Sequence, residues 1–429
     1  ADIGGQLACS NGTFENEEGY ALCADGLKTG GDVFFNEGFR AVGEVRLPGA
    51  DIGGNLECRG GTFENEKGYA LCADRLKTGG DVFFDEGFRA KGEVRLHGAD
   101  IGGQLSCRDG TFENEKGKAL NADGLKTGGN VFLDKGFRAR GEVKLLGADI
   151  GGQLSCRDGT FENEEGFALN AEGMNVKGVF FWLLREKPSG TVDLVNARVG
   201  HLEDDKRSWP GKGKLHLDGF EYSSLRMDEK TMNVEDRLEW LRLQIPEKSS
   251  VAFKPRPYEQ LAKILHQMGH ESDARRVRVE KQEDLRRYGG LSRKAKAWNW
   301  FLGFTIGHGW RPWRVFSYFI VPIVLFGLFA FWCADRLDVM QPSRERVYMS
   351  PEFKVHKIIP PEYPVFQPFV YSLDTFVPFV NLHQEDYWLP DSNKSWGWLF
   401  RVYLWLHILS GWVLSTLAAV SVTGLVRKE

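Results

Sequence analysis

A chain of 429 residues excludes a single small domain and predicts two or three. Its 42% hydrophobic content and net charge of −4 average over unlike parts, for the first half is Gly-rich and repetitive while the last third holds most of the tryptophan and two apolar runs. Lys254 to Arg314 alone carries 14 Lys/Arg against 6 Asp/Glu, leaving −12 for the remainder and marking a basic belt.

The chain opens in mid-pattern on Ala1-Asp2-Ile3-Gly4-Gly5, which predicts further residues upstream; no signal peptide is visible in it. That phrase recurs at Ala50, Ala99 and Ala148, a period of 49, in three full copies and a fading fourth. Leu7, Leu56, Leu105 and Leu154 line up, as do Phe14, Phe63, Phe112 and Phe161, with Phe39, Phe88 and Phe137 in another column. Within each copy, short alternating pieces (GQLAC, GYALCA, GDVFF, GEVRL) begin at glycine and are separated by turn residues, so they read as strands. Strands stacked with like residues above like predict a parallel β-solenoid (β-helix) with two coils per 49 residues, running over residues 1–225.

Cys9, Cys58, Cys107 and Cys156 keep the 49-residue spacing, and Cys23 and Cys72 share a column continued by Asn121 and Asn170. Column mates two coils apart lie roughly 9.6 Å apart, beyond the ~7 Å reach of a disulfide. They are expected to be free, buried thiols in a cytosolic domain, with no metal site and no cofactor, because no Cys-x-x-Cys or paired His accompanies them. The acidic runs Glu15-Asn16-Glu17-Glu18 and Glu162-Asn163-Glu164-Glu165 read as solvated turns that discourage strand addition.

Residues 226–314 are expected to be helical cap, hairpin and collar. Val234 to Gln244, led by Asn233 as N-cap, predicts an amphipathic lid on the solenoid. Pro257 opens a helix with the stripe Tyr258, Leu261, Leu265 and Met268, ended by Gly269; Ser272 opens another carrying Ala274, Val277 and Leu285. The pair resembles a tetratricopeptide-type hairpin. In 293–314, Arg293, Lys294, Lys296, Arg311 and Arg314 mix with Trp298, Trp300, Trp310 and Trp313 without an acid. Directly before an apolar run, this mixture predicts a membrane-interface anchor and a lipid partner, not a nucleic-acid surface.

Val315 to Ala334 predicts a first transmembrane helix with Pro322 as a kink, and Val402 to Val426 a second, with His407 as its ionisable group, facing protein. The basic collar and Arg427-Lys428 put both termini in the cytosol, leaving 335–401 outside or dipping in. There Pro368 can open and Pro378 must stop a short helix, Phe369 to Val377, spanning only roughly 14 Å. It is too short to cross, and Asn381 to Trp388 behind it is too polar for lipid unless it lines water or protein. Asp374, Asn381, His383, Gln384, Glu385 and Asp386 are therefore pore or filter candidates, Glu385 and Asp386 as an acidic ring or equally as an ordinary wet turn, and Asp374 more as a cap or pair within the loop than as a filter group. Gly411, Ser415, Ala419 and Thr423, four apart, put small side chains on one face that packs a neighbour or lines a pore.

The phrases GADIGGQLSCR, GEVRL, LDGFEYSSL, PRPYEQLAKILHQMGHESDARRV, GHGWRPWR and YSLDTFVPFVNLHQEDYW together resemble bacterial membrane proteins often labelled "membrane-associated oxidoreductase", some grouped with pentapeptide-repeat proteins, over nearly the whole chain. The label implies redox activity, but these residues hold no Gly-rich nucleotide fingerprint and no cofactor-ligand cluster, and the reading is of a non-enzyme. In architecture the solenoid resembles bactofilin-like β-helices. Span, short helix, polar turn, span is similar to two-span P-loop cation channels, although the filter motif Thr-Val-Gly-Tyr-Gly is absent. The expectation is an oligomeric cation channel of the bacterial inner membrane, tetrameric, with the solenoid sensing or gating. The alternative is a membrane-anchored scaffold without conductance.

Overall fold

The computed structural model describes residues 1–227, 232–246, 253–311, 313–356 and 358–423. The chain divides into two compact units, Ala1–Gly290 and Leu291–Glu429.

The first unit opens with a β-solenoid of about ten turns. In a representative coil, Asp51–Ile52, Leu56–Glu57 and Thr62–Cys72 are followed by the next coil's Lys77–Thr78, Val82–Phe83 and Arg89–Arg95. All pair in parallel with their counterparts above and below. Lys77 is registered on Asp51 and on Asp100, so coils of 26 and 23 residues alternate to make the 49-residue period. The two phenylalanine columns merge into one ladder: Phe14, Phe39, Phe63, Phe88 and onward to Phe161 sit one per coil with ring centroids 5.2–5.6 Å apart, and Trp182 ends it. Offset and tilted rings at this distance add attraction beyond their burial.

The run Glu15-Asn16-Glu17-Glu18 is a correction: it lies inside the strand Thr13–Cys23, not in a turn, whereas Glu164 and Glu165 of the other run form the expected turn. In the repeat after the first run, the 11-residue Thr62–Cys72 faces the 7-residue Arg89–Arg95, and the register slips between Lys91 and Val94 as the extra residues bulge outward. Opposite the bulge, Gly92 has φ +114 and a side chain there would meet the Asn65 backbone, which is why the column Gly43, Gly92, Gly141 is glycine. In the column of Glu162, the strand breaks into Thr160–Glu162 and Phe167–Asn170 around the run.

The thiols are free; Cys58, Cys72, Cys107 and Cys156 are buried, whereas Cys9 is half-buried and Cys23 exposed. These two lie in the first of the described coils. Burial pushes the Cys58, Cys107 and Cys156 thiols well above their usual range.

The last solenoid strand is Glu221–Leu225, and helix α1 (Val234–Arg242) covers the end. Asn233 caps it through a reciprocal pair: its side chain accepts from the Asp236 N–H, and Asp236 accepts from the Asn233 N–H. α2 (Arg256–Gln267) and α3 (Glu271–Tyr288) form the hairpin. Its buried stripe runs through Tyr258, Leu261, Ile264 and Leu265 to Ala274 and Val277. Met268 and Leu285 fall outside the expected core: Met268 lies past the last helical turn and is exposed, and the buried position beside Leu285 is Asp284, held by the Tyr258 hydroxyl at 3.0 Å and Arg242 Nε at 2.8 Å.

The second unit begins with α4 (Arg293–Ile306), capped by Ser292. A π-helical stretch, Val315–Ile320, runs into α5 (Val321–Arg336), giving 22 residues long and apolar enough to cross a membrane. Pro322 supplies no N–H and crowds the preceding turn, and the wider π turns lie directly before it, where that defect falls. Short helices α6 (Glu345–Met349) and α7 (Pro351–His356) precede α8 (Pro368–Phe376). The second helix long and apolar enough to cross, α9 (Gly397–Val422), starts five residues earlier than expected, directly after a turn in which the Gly397 N–H bonds the Lys394 carbonyl. Arg427, Lys428 and the end of the expected second span lie outside the described residues.

Candidate functional site

The polar segment between α5 and α9 is a folded cap with a closed neck. Met340–Pro342 pairs antiparallel with Trp388–Pro390, and the Lys394 ammonium bonds Asp338 at 2.6 Å. Trp388, Phe366 and Tyr371 pack inside the neck.

α8 buries Tyr371, Ser372, Asp374, Thr375 and Phe376, and packs against both α5 and α9. Its polar residues explain how an apolar helix is fixed there. The Ser372 hydroxyl donates to the Val324 carbonyl of α5 at 2.9 Å. The His407 ring of α9, 2% exposed, lies 3.0 Å from the Ser372 carbonyl through Nε2 and 3.3 Å from the Tyr403 hydroxyl through Nδ1. The tautomer with hydrogen on Nε2 satisfies both contacts. Phe331 and Phe376 wall the imidazole. Two glycines let the three helices approach: a side chain at Gly327 of α5 would overlap Ser372 and His407, and one at Gly411 of α9 would overlap the Phe376 carbonyl. Of this junction, sequence reasoning identified His407 and Gly411; Ser372 and Gly327 were legible only as small or polar residues inside apolar segments.

Asp374 ties the following turn back to α8. One carboxylate oxygen accepts from the Leu382 N–H at 2.5 Å and the other from the Glu385 N–H at 2.9 Å, with the side chain 4% exposed. Gln384 is buried, its amide accepting from the Gln367 N–H at 3.1 Å. Asn381 accepts from the His383 N–H at 2.8 Å, and His383 contacts Asp386 at 3.1 Å. Asn381, His383, Glu385 and Asp386 are exposed, beside exposed Phe379, Val380 and Leu382. Partial burial and the neighbouring Asp374 and Asp386 carboxylates raise the Glu385 carboxyl above its usual range. Among the described residues no group of three His, Cys, Asp or Glu is arranged to hold a metal.

The small-residue face divides. Gly411 and Ser415 are buried, but Ala419 and Thr423 are exposed, because a spacing of four overshoots the 3.6-residue turn and drifts around the helix; the buried line continues through Ala418 and Ser421. In the collar, Trp298, Trp300 and Trp313 are more than half exposed, whereas Trp310, Arg311 and Arg314 are half-buried. Trp300 stacks on exposed Phe304, so α4 presents an aromatic surface next to its basic first turn.

Comparison with protein-family models, with curated proteins and with solved structures returns no match. The structure itself shows a β-solenoid followed by helices, two of them apolar enough to span a membrane.

Proposed function

We propose that the second unit is the membrane module of a homo-oligomeric, cation-permeable channel of a bacterial inner membrane, with α8 as its re-entrant helix and the solenoid as a cytosolic sensing or gating domain. The observation that carries this reading is the nine-residue helix lodged against two membrane-length helices and followed by a polar turn that its own Asp374 holds in place. A helix that short cannot cross ~30 Å of hydrocarbon, and a turn that polar needs water or protein around it. Exposed Phe379, Val380 and Leu382 then meet neighbouring subunits, and Glu385 and Asp386, repeated about the symmetry axis, concentrate cations. Trp298, Trp300 and the basic start of α4 anchor the module at the cytosolic interface, so both termini are cytosolic. Solenoid movement opens the pore through the linking helices.

Purified protein in planar bilayers is expected to pass cations over chloride, and Glu385→Gln with Asp386→Asn to lower that preference while assembly stays intact. Electrical silence of the confirmed oligomer across pH, voltage and calcium would sink the channel. The length of the solenoid favours a second reading, a membrane-anchored scaffold; filaments in place of closed rings in particle images would support it.

A further inference from the structure

Along one face of the solenoid, the outward residue just before each paired glycine forms a column registered rung on rung: Asp2, Lys28, Asp51, Lys77, Asp100 and Lys126. The sign alternates at every step of about 4.8 Å, because the two coils of each 49-residue repeat carry opposite charges here. All six side chains are exposed, and among the described residues none of them makes an ion pair or side-chain hydrogen bond with its ladder neighbours. The alternating stretch ends where Asn175 donates to Asp149 and Arg198 pairs with Glu221.

The surroundings of the column are flat. Two residues before the charges lie exposed Gly26, Gly49, Gly98 and Gly124, each with φ between +61 and +65, with Arg75 the one side chain in that line. After the charges come the stacked glycine pairs, where a Cβ added at the first glycine, as at Gly30, Gly53, Gly79 or Gly102, would strike the carbonyl of the coil beneath, and one at Gly54, Gly80 or Gly103 would strike the side chain of Asp32, Asn55 or Asp81. A row of charged side chains therefore stands beside backbone that is mostly bare, with Arg75 on the Lys77 rung as the exception, so a partner surface can come close wherever Arg75 lies aside.

We propose that this column is a self-complementary interface that docks a second copy of the same chain face to face. A two-fold axis midway between the Asp51 and Lys77 rungs sets Asp51 against Lys77, Lys28 against Asp100 and Asp2 against Lys126 of the other copy, every contact being made twice. An axis through a rung would set like against like, so the alternation also selects the register. This pairing concerns the solenoid and stands whether or not the second unit conducts.

The test uses two differently tagged full-length chains, both Cys23→Ser, co-expressed and purified together in mild detergent. One carries Asp51→Cys and the other Lys77→Cys, with a parallel pairing of Lys77→Cys and Asp100→Cys for the register one rung along. A disulfide joining the two tags is expected in at least one pairing, falling as salt rises from about 0.05 M to about 1 M, where the screening length drops to ~3 Å. A second set reverses charges: Lys28→Glu, Lys77→Glu, Lys126→Glu in one chain, and Asp2→Lys, Asp51→Lys, Asp100→Lys in the other, with proximity read by fluorescent labels on the solenoids. Each variant alone is expected to lose at least tenfold of the wild-type proximity signal, and the two mixed to regain it. Absence of the inter-tag disulfide in both pairings, or charge variants that associate as wild type does, would overturn the proposal. Recovery on mixing also rules out misfolding as the cause of the loss.

Discussion

Replacing Arg237 with alanine should unzip one end of the solenoid and leave its middle untouched. Arg237 is fully buried on lid helix α1, and its guanidinium forks onto Asp204 at 3.0 and 2.7 Å while also donating to the Arg226 carbonyl at 2.8 Å. Asp204, 2% exposed, keeps one other side-chain donor among the described residues, the Trp209 indole at 2.8 Å. Removing the arginine strands a carboxylate away from water, a change that costs about 3–5 kcal/mol. In a solenoid, stability is nearly a sum of coil and neighbour terms, so the loss stays local. Hydrogen exchange on the intact protein in detergent should show amide protection in α1 and Glu221–Leu225 falling by roughly 10²–10³-fold, at 1.4 kcal/mol per decade, while Thr111–Asn121 is unchanged. Arg237→Met with Asp204→Leu removes both charges and should recover most of the protection. A fall below tenfold in the single variant, or one spread evenly over all coils, would refute the reasoning.

In the folded protein, bulky maleimide should leave Cys58, Cys107 and Cys156 unreacted and label them only after denaturation, since these thiols are buried and their protonated form is favoured; mass spectrometry of the labelled peptides checks this. Gly411→Ala should destabilise the second unit by about 1–3 kcal/mol, read as a lower melting temperature in detergent, because α9 must move away from the Phe376 carbonyl; Ala419→Gly, on an exposed position, should change it by under about 1 kcal/mol. Glu385 binds its proton at higher pH than a free glutamate, so cation preference should begin to fall above the usual carboxylate range as pH is lowered, and Glu385→Gln should remove that part of the pH dependence in the conductance assay. Acid should also loosen the lid: the Lys206 ammonium and the Asn233 N–H hold the Asp236 carboxyl below its usual range against the opposing effect of burial. That contribution is complete above about pH 4 and is lost as pH falls through the lowered value, which hydrogen exchange in α1 reads directly.

What the sequence by itself determined is whatever repeats or is local. A 49-residue period with glycine-led strands leaves a parallel solenoid as the way to place like residues over like, and Asn233 three residues before Asp236 announces the lid helix within a residue or two. Runs of apolar residues as long as a bilayer is thick likewise announce α5 and α9. Tertiary structure decided everything that depends on which residues face one another. The two phenylalanine columns are one ladder, because Phe63, Phe88 and Phe112 follow one another at 25 and then 24 residues and reach the same interior position coil after coil. The acidic run of Thr62–Cys72 bulges from its strand because the coil above has fewer residues to pair with it. Buried Asp284 and Arg237 could not be foreseen, since a charge enters a core only where a partner from a distant segment meets it: Arg242 and Tyr258 for one, Asp204 for the other. The same holds for the junction of Ser372, His407, Gly327 and Gly411, four residues spread over 85 positions of chain that matter because three helices cross at one point.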